Sequence, residues 1–136
     1  MNIKIENLTG ATPERMAREA VRAVLVNKGI NTKLFNVTDS TVIADYYVIT
    51  TARSTTHVKS MSDDLVDKFA EAGINPSHFE GRDGGEWILI DYDNVIIHVF
   101  GREAREFYNL ERLGGEEIDI SDIEEALDRE MSASEN

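Results

Sequence analysis

Residues 86–113 read EWILIDYDNVIIHVFGREAREFYNLERL, and this stretch decides how the rest of the chain can be arranged. Two apolar runs, residues 87–92 and 95–100, flank Asp93-Asn94, a pair that tolerates the left-handed backbone of a two-residue hairpin turn. The pattern predicts an antiparallel hairpin, followed after Gly101 by a short helix whose charges alternate in sign.

Side chains alternate along a strand, so the predicted hairpin has two faces of different character. In this register Trp87 pairs with Phe100, and Leu89 pairs with His98. One face is almost wholly apolar and is expected to cover the core: Ile88, Ile90, Tyr92, Val95, Ile97 and Val99. The other face is aromatic and apolar but also holds a carboxylate and an imidazole: Trp87, Leu89, Asp91, Ile96, His98 and Phe100.

The second hairpin face has two interpretations. In one, another helix covers it, and Asp91 and His98 are satisfied polar groups in a second core layer. In the other, the face is at least partly open and binds protein, because tryptophan among apolar and a few polar groups is typical of a binding hot spot. Only about three helices are expected, which favours the open face because a second complete covering layer is hard to supply.

The remaining elements follow from periodicity and capping residues. Helices are predicted from Thr12-Pro13 to Gly29 and from Ser54 or Thr55 to Gly73, with charged residues of the second helix, among them Lys68, facing water. Strands are predicted over residues 33–37 and 42–51, with a short one near residues 78–81. At 136 residues the chain fits one domain.

Charge is concentrated at one end of the chain. The net charge is −12; residues 1–113 hold 13 Lys and Arg against 17 Asp and Glu, whereas residues 114–136 hold Arg129 against nine acids. This balance argues against direct binding to DNA or RNA, because neutralising phosphates needs a basic face. We therefore divide the chain into residues 1–115, the folded domain, and residues 116–136, a solvated and partly mobile acidic end with a helix opened by a capping box at Ser121.

Motifs of catalytic or metal sites are weak in this sequence. Cysteine is absent, so disulfides and thiolate metal sites are excluded. His57, His78 and His98 lack the spacing of metal ligands. Asp91 and Asp93 form a D-x-D that can hold Mg²⁺ for nucleotidyl transfer, but Asp93 falls in the predicted turn. We expect no catalytic residue, metal or cofactor, and an Asp91-dependent metal enzyme is the alternative.

No apolar run approaches the ~18 residues of a membrane span. The first residues, MNIKIENLTG, lack the basic and apolar regions of a secretory signal. A soluble cytoplasmic protein without membrane contact is the expectation.

Two segments carry a family resemblance: ADYYVITTARSTTHVKSMSDDLVD at residues 44–67 and GEWILIDYDNVIIHVFGREAREFYNLERL at residues 85–113. In series, they make the chain resemble the ribosomal silencing factor family (RsfS), also called Iojap-like proteins, over roughly residues 12–114. The resemblance implies a single α/β domain with a mixed sheet and flanking helices, akin to nucleotidyltransferases but without their catalytic residues.

The resemblance also implies a non-enzymatic function. Family members bind the large ribosomal subunit at ribosomal protein fourteen on its intersubunit face, block the small subunit, damp translation when nutrients are scarce, and commonly form homodimers. An acidic chain would dock there mainly on basic protein, since RNA phosphate repels it. A plain homodimeric interaction module is a further alternative. Carried over residue by residue, the partner-binding positions are Trp87, Asp91, His98, Tyr108, Leu110 and Leu113, and the second hairpin face adds Leu89 and Phe100.

Overall fold

In the computed structural model, which describes residues 3–134, the predicted hairpin supplies two adjacent strands of a six-stranded sheet. The strands are β1 Ile30–Asn36, β2 Tyr46–Thr51, β3 His78–Glu80, β4 Trp87–Asp91, β5 Val95–Phe100 and β6 Glu116–Ile118. Their order across the sheet is β3-β4-β5-β2-β1-β6. Among these described strands, β2 and β5 run parallel and the other neighbours run antiparallel, so the expected α/β fold with a mixed sheet is confirmed.

The helices begin where side chains can satisfy the N–H groups of a first turn. Thr12 accepts a hydrogen bond from the backbone of Arg15 at the start of the first helix, and Ser54, rather than Thr55, accepts one from the backbone of His57 at the start of the second. The helices are α1 Pro13–Val26, α2 Thr55–Glu71, α3 Arg102–Tyr108 and α4 Ser121–Ser134, with a 3₁₀ helix at Leu110–Leu113.

The hairpin register matches the prediction. Trp87 lies opposite Phe100, and Leu89 lies opposite His98. The turn closes with a 2.9 Å hydrogen bond from the Tyr92 N–H to the carbonyl of residue 95, and residue 93 has a φ of 71°, in the left-handed region. The assignment of residues to the two faces is therefore confirmed.

The first face of the sheet carries the main core. Its hairpin residues Ile88, Ile90 and Ile97 have no exposed surface and pack with apolar residues of α1 and α2. Burying each such side chain stabilises the fold by about 1.5–3 kcal/mol. Ile123 on α4 belongs to the same cluster, because α4 packs against α1.

Two strand boundaries differ from the prediction. The strand expected over residues 42–51 begins only at Tyr46, and Val42 and Ile43 are exposed in the preceding loop. β-Branched residues favour strands, but none of the described strands pairs with residues 42 and 43. The strand expected over residues 33–37 begins earlier, at Ile30, and its pairing with β2 contains an irregularity before Lys33.

The acidic end is packed onto the domain rather than solvated throughout. β6 extends the sheet by pairing with β1, and Ile123 and Leu127 of α4 are buried. Arg18 pairs with Asp122, and α1 thereby offsets part of the local negative charge. The helix also starts differently from the predicted capping box, because the carboxylate of residue 119 accepts the hydrogen bond from the Ser121 N–H at 2.9 Å.

Lys68 on α2 is buried, although its place among charged residues predicted that it faces water. Its ammonium group pairs with Asp64, one helical turn earlier, and the Asp64 carboxylate also accepts a 2.5 Å hydrogen bond from the Asn27 side chain. The ion pair with Asp64 is what makes the burial of Lys68 tolerable, because an isolated buried charge is very costly.

Candidate functional site

The second face of the sheet is covered only in part. α3 and the 3₁₀ helix lie over it through Ala104 and Leu110, which pack against a small apolar cluster. The buried members of this cluster are Phe35, Val37, Ala44, Tyr47, Ile49, Ile96 and Phe100, with Trp87 and Leu89 half-buried beside them. The structure combines a feature of each interpretation: the centre of this face is a second core layer, although Nε2 of His98 finds no hydrogen-bond partner within residues 3–134, and the margin is open.

Trp87 lies at this margin and is held on several sides. Its ring centroid is 5.0 Å from that of Phe100 and 4.5 Å from that of Tyr108. Its Nε1–H donates a 3.1 Å hydrogen bond to Nδ1 of His98. The indole is thus fixed in orientation while part of its surface remains accessible.

His98 lies beneath Trp87 and is 3% exposed. Because Nδ1 accepts the indole hydrogen bond, the imidazole is neutral and carries its proton on Nε2. Burial lowers the pKa of His98 to about 3, so the neutral form persists at physiological pH. Its ring also contacts Tyr47 edge-on, with centroids 4.7 Å apart. His98 therefore serves as the acceptor that orients the tryptophan.

Two predicted partner-binding residues are thus below the surface. His98 and Phe100 are both buried, so in this conformation they support Trp87 and do not reach a partner. The correction has a simple cause: β5 is a central strand, flanked by β4 and β2, and α3 returns directly over its end. Alternation placed these side chains on the correct face but could not show what covers them.

Asp91 is engaged in closing the hairpin turn. One carboxylate oxygen accepts a 2.7 Å hydrogen bond from the Asp93 N–H, and the other lies 3.5 Å from Nδ1 of His78. Asp93 itself accepts a 3.0 Å hydrogen bond from the Ser77 hydroxyl. The D-x-D is therefore part of a turn, and within residues 3–134 no group of three carboxylates or imidazoles is arranged to hold a metal ion.

The exposed part of the candidate site comes from α3 and the 3₁₀ helix. Tyr108 is 46% exposed and Leu113 54%, while Leu110 is half-buried. Phe107, which sequence reasoning did not include, is 81% exposed, and its ring lies edge-on to Tyr108 at 5.0 Å. We call the three touching rings of Trp87, Tyr108 and Phe107 the aromatic rim.

Arg105 is the second residue that sequence reasoning missed. It is one of the residues of alternating charge in α3, yet it is buried. Its guanidinium donates to Glu111 at 3.1 Å, to the carbonyl of Asn31 at 2.6 Å and to the hydroxyl of Thr51 at 3.0 Å. These bonds tie α3 and the 3₁₀ helix to β1 and β2. Helical spacing places residue 105 on the same face of α3 as Tyr108, but the spacing alone does not indicate that residue 105 is buried.

The pKa of Glu111, the carboxylate partner of Arg105, reflects this interaction. Burial on its own would raise the pKa of Glu111, but the hydrogen bond and charge of Arg105, together with Lys33 at 3.5 Å, outweigh it and lower the pKa below its usual value. The charge-assisted hydrogen bond from Arg105 to Glu111 thus joins α3 to the 3₁₀ helix, and the ion pair with Lys33 joins the 3₁₀ helix to β1.

Comparisons with known proteins agree with this architecture. The family model described as "Ribosomal silencing factor during starvation" matches residues 10–136. The ribosomal silencing factor RsfS of Zymomonas mobilis is 33% identical over 110 residues, which cover 81% of this chain and 83% of that protein. A crystal structure of a protein from Chromobacterium violaceum superposes with a TM-score of 0.74 at 27% identity, covering 79% of this chain and 91% of the other.

A more distant relative is the Mus musculus protein named "Mitochondrial assembly of ribosomal large subunit protein 1". It is 33% identical over 72 residues, which cover 51% of this chain and 32% of that protein. Within residues 3–134 no helix combines the length and the apolar character that crossing a membrane requires. The family match spans most of the sequence, and the chain therefore belongs to the ribosomal silencing factor family, a family of non-enzymatic regulators associated with the ribosome.

Proposed function

We propose that this protein binds the large ribosomal subunit at ribosomal protein fourteen, on the intersubunit face, and prevents the small subunit from joining. Translation then falls when nutrients are limiting. The observation that carries the proposal is the aromatic rim, an exposed set of touching rings whose innermost member, Trp87, is fixed from below by His98 and Phe100.

The rim has the physical properties of a binding hot spot. Tryptophan and tyrosine dominate such sites because each buries a large area at a small cost in side-chain entropy. Trp87 has already lost its rotational freedom through the hydrogen bond to His98 and its contact with Tyr108. A partner that covers it therefore gains contact area without the usual cost of ordering.

Charge supports a protein partner over ribosomal RNA. The chain has a net charge of −12, so RNA phosphates repel it, whereas a basic ribosomal protein attracts it and speeds the encounter. The name of the mouse relative connects that protein with the large ribosomal subunit, and the family is described as acting during starvation. Both support the subunit and the condition proposed for this chain.

The mechanism is occlusion, which needs a bound protein in the path of the small subunit and no chemical step. Leu89 and Leu110 pack on the same apolar cluster as Trp87, Leu113 is exposed on the 3₁₀ helix, and all three add apolar contact, while Asp91 adds a carboxylate at the hairpin end. The protein acts in the cytoplasm and forms a homodimer, for which the exposed Val42 and Ile43 of the β1–β2 loop offer apolar area outside the rim.

Replacing Trp87 by alanine tests the proposal. The loss of the central ring should cost about 2 kcal/mol or more of binding, or roughly a 30-fold drop in affinity. The measurement is co-sedimentation with purified large subunits, together with the fraction of joined ribosomes when small subunits are added. Circular dichroism confirms that the variant is folded.

The matched control is Phe79→Ala, which removes a half-buried aromatic ring that packs on the first face of the sheet. It should bind large subunits as the unmodified chain does. If folded Trp87→Ala were retained as strongly as Phe79→Ala, the rim would not be the docking site, and if the unmodified chain left the level of joined ribosomes unchanged, occlusion would be wrong.

A further inference from the structure

A cleft of about 630 Å³ opens at the edge of the sheet where β2 and β5 end. These strands are adjacent and parallel, so their carboxyl ends meet at this edge. From Thr51 the chain turns to α2 on the first face, and from Phe100 it turns to α3 on the second. In open α/β sheets, ligands bind in the crevice where such connections diverge, and this volume is within the range of small-molecule sites.

Four charged side chains line the cleft without being paired. Arg53 lies in the β2–α2 connection, Glu86 precedes β4, and Arg102 and Glu103 begin α3. All four residues are exposed, and none forms an ion pair with another residue in the described part of the chain. The cleft therefore offers two guanidinium groups as donors and two carboxylates as acceptors, and these groups are available to bind a ligand.

Aromatic rings complete the lining. Phe107 and Tyr108 both border the cleft and are exposed, with their ring planes at 87° to each other. Such rings offer faces on which a planar heterocycle can stack, and stacking on an aromatic side chain is worth about 1–3 kcal/mol per base. Phe107 and Tyr108 also belong to the aromatic rim, so the cleft and the rim share two residues.

We propose that the cleft binds a mononucleotide. Its phosphate pairs with Arg53 and Arg102, its base stacks on Phe107 or Tyr108, and its ribose hydroxyls or base amino groups donate to Glu86 and Glu103. A simple anion would leave the carboxylates and the rings unused, and a simple cation would be repelled by the arginines. A nucleotide is a ligand class that uses all three kinds of group. The proposed event is binding alone, with no bond made or broken, and it does not require the ribosome.

The only tryptophan of the chain makes a direct test possible. Trp87 touches Tyr108 at 4.5 Å between ring centroids, so its fluorescence should respond when the cleft is filled. We expect adenosine or guanosine monophosphate to give a saturable change, with calorimetry as the second readout. The matching nucleoside and inorganic phosphate should each bind at least about tenfold more weakly, because each lacks one set of contacts. Absence of binding by both methods at millimolar nucleotide would overturn the proposal.

The variant Arg53→Gln/Arg102→Gln removes the phosphate contacts at two exposed positions, so the fold should be kept. Its affinity for the nucleotide should fall to that of the nucleoside. The matched control is Arg15→Gln, an exposed arginine of α1 outside the cleft, which should bind like the unmodified chain. Undiminished nucleotide binding by the double variant, or equal losses in variant and control, would show that the cleft is not the site.

Discussion

The two faces of one hairpin are built from neighbouring residues yet hold together in different ways. Ile88 and Ile90 enter a continuous apolar core under α1 and α2. Trp87 and Leu89, each one position away, remain half-buried under a seven-residue helix. The first face is stabilised by the burial of tightly packed apolar side chains. The structure of the second face relies in addition on specific hydrogen bonds, above all those of His98 and Arg105. One side of the strands thus provides most of the core, and the opposite side leaves aromatic side chains partly exposed.

This difference predicts the largest effect for a residue of the first face. Ile97→Ala should lower the free energy of unfolding by about 2–5 kcal/mol, because Ile97 has no exposed surface and its removal leaves a cavity that the packed core cannot fill. Urea unfolding followed by circular dichroism measures it. The half-buried Leu89 is the counterpart on the second face, and Leu89→Ala should cost clearly less. Equal losses in the free energy of unfolding for Ile97→Ala and Leu89→Ala would contradict the proposed difference between the two faces.

A smaller effect is expected where bonds rather than volume hold the structure. Arg105→Met keeps much of the side-chain length but leaves the Asn31 carbonyl and the Glu111 carboxylate without their donor. We expect a loss of about 1–3 kcal/mol in the free energy of unfolding and weaker binding to large subunits, because the segment carrying Tyr108 is released.

The matched control is Arg112→Met, an exposed arginine of the 3₁₀ helix that should change stability and binding little. Chemical denaturation gives the first quantity and co-sedimentation the second. If Arg105→Met behaved like Arg112→Met in both measurements, the second face would be held by packing alone.

The smallest effect concerns pH. Burial lowers the pKa of His98 to about 3, whereas an unfolded histidine titrates near ~6.5. Below pH ~6.5 residue 98 binds a proton in the unfolded chain but not in the folded chain, so the free energy of unfolding falls as the pH decreases towards 3. By about pH 5.5 the loss from this one group should be about 1.4 kcal/mol.

His98→Gln isolates this contribution, because glutamine offers an acceptor and does not titrate. His57 and His78 remain in both proteins, so their effects cancel in the difference. The measurement is the free energy of unfolding at pH 7 and at pH 5.5 for both proteins. The same pH dependence in the two would mean that His98 is protonated in the folded state, contrary to its burial.

The parts of the structure that follow from neighbouring residues could be predicted from the sequence. The hairpin register follows from two apolar runs and a turn pair, and the start of α1 follows from Thr12 and Pro13. Both depend on interactions within a few residues, which a linear pattern records. The family resemblance added the mixed sheet, and the comparisons confirm the family itself.

The parts that depend on distant residues could not be predicted. Arg105 looks like a surface charge until Asn31 and Thr51, more than fifty positions earlier, are placed beside it. The burial of His98 depends in the same way on the return of α3 over β5. Val42 and Ile43 have the composition of a strand, but within residues 3–134 no strand pairs with them. In each case the missing information was which segments are neighbours in space.

The parallel pairing of β2 with β5 has a consequence for how the chain folds. It joins residues about 50 positions apart, such as Tyr46 and Val95, at the centre of the sheet. The β1–β2 pair can form early from local contacts, but one edge of β2 stays unpaired until α2, β3 and β4 have been made and β5 arrives. Non-local pairing of this kind slows folding and exposes an edge to other chains. During synthesis, the hairpin is thus the segment that joins β3 and β4 to the β1–β2 pair, before β6 is added at the far edge.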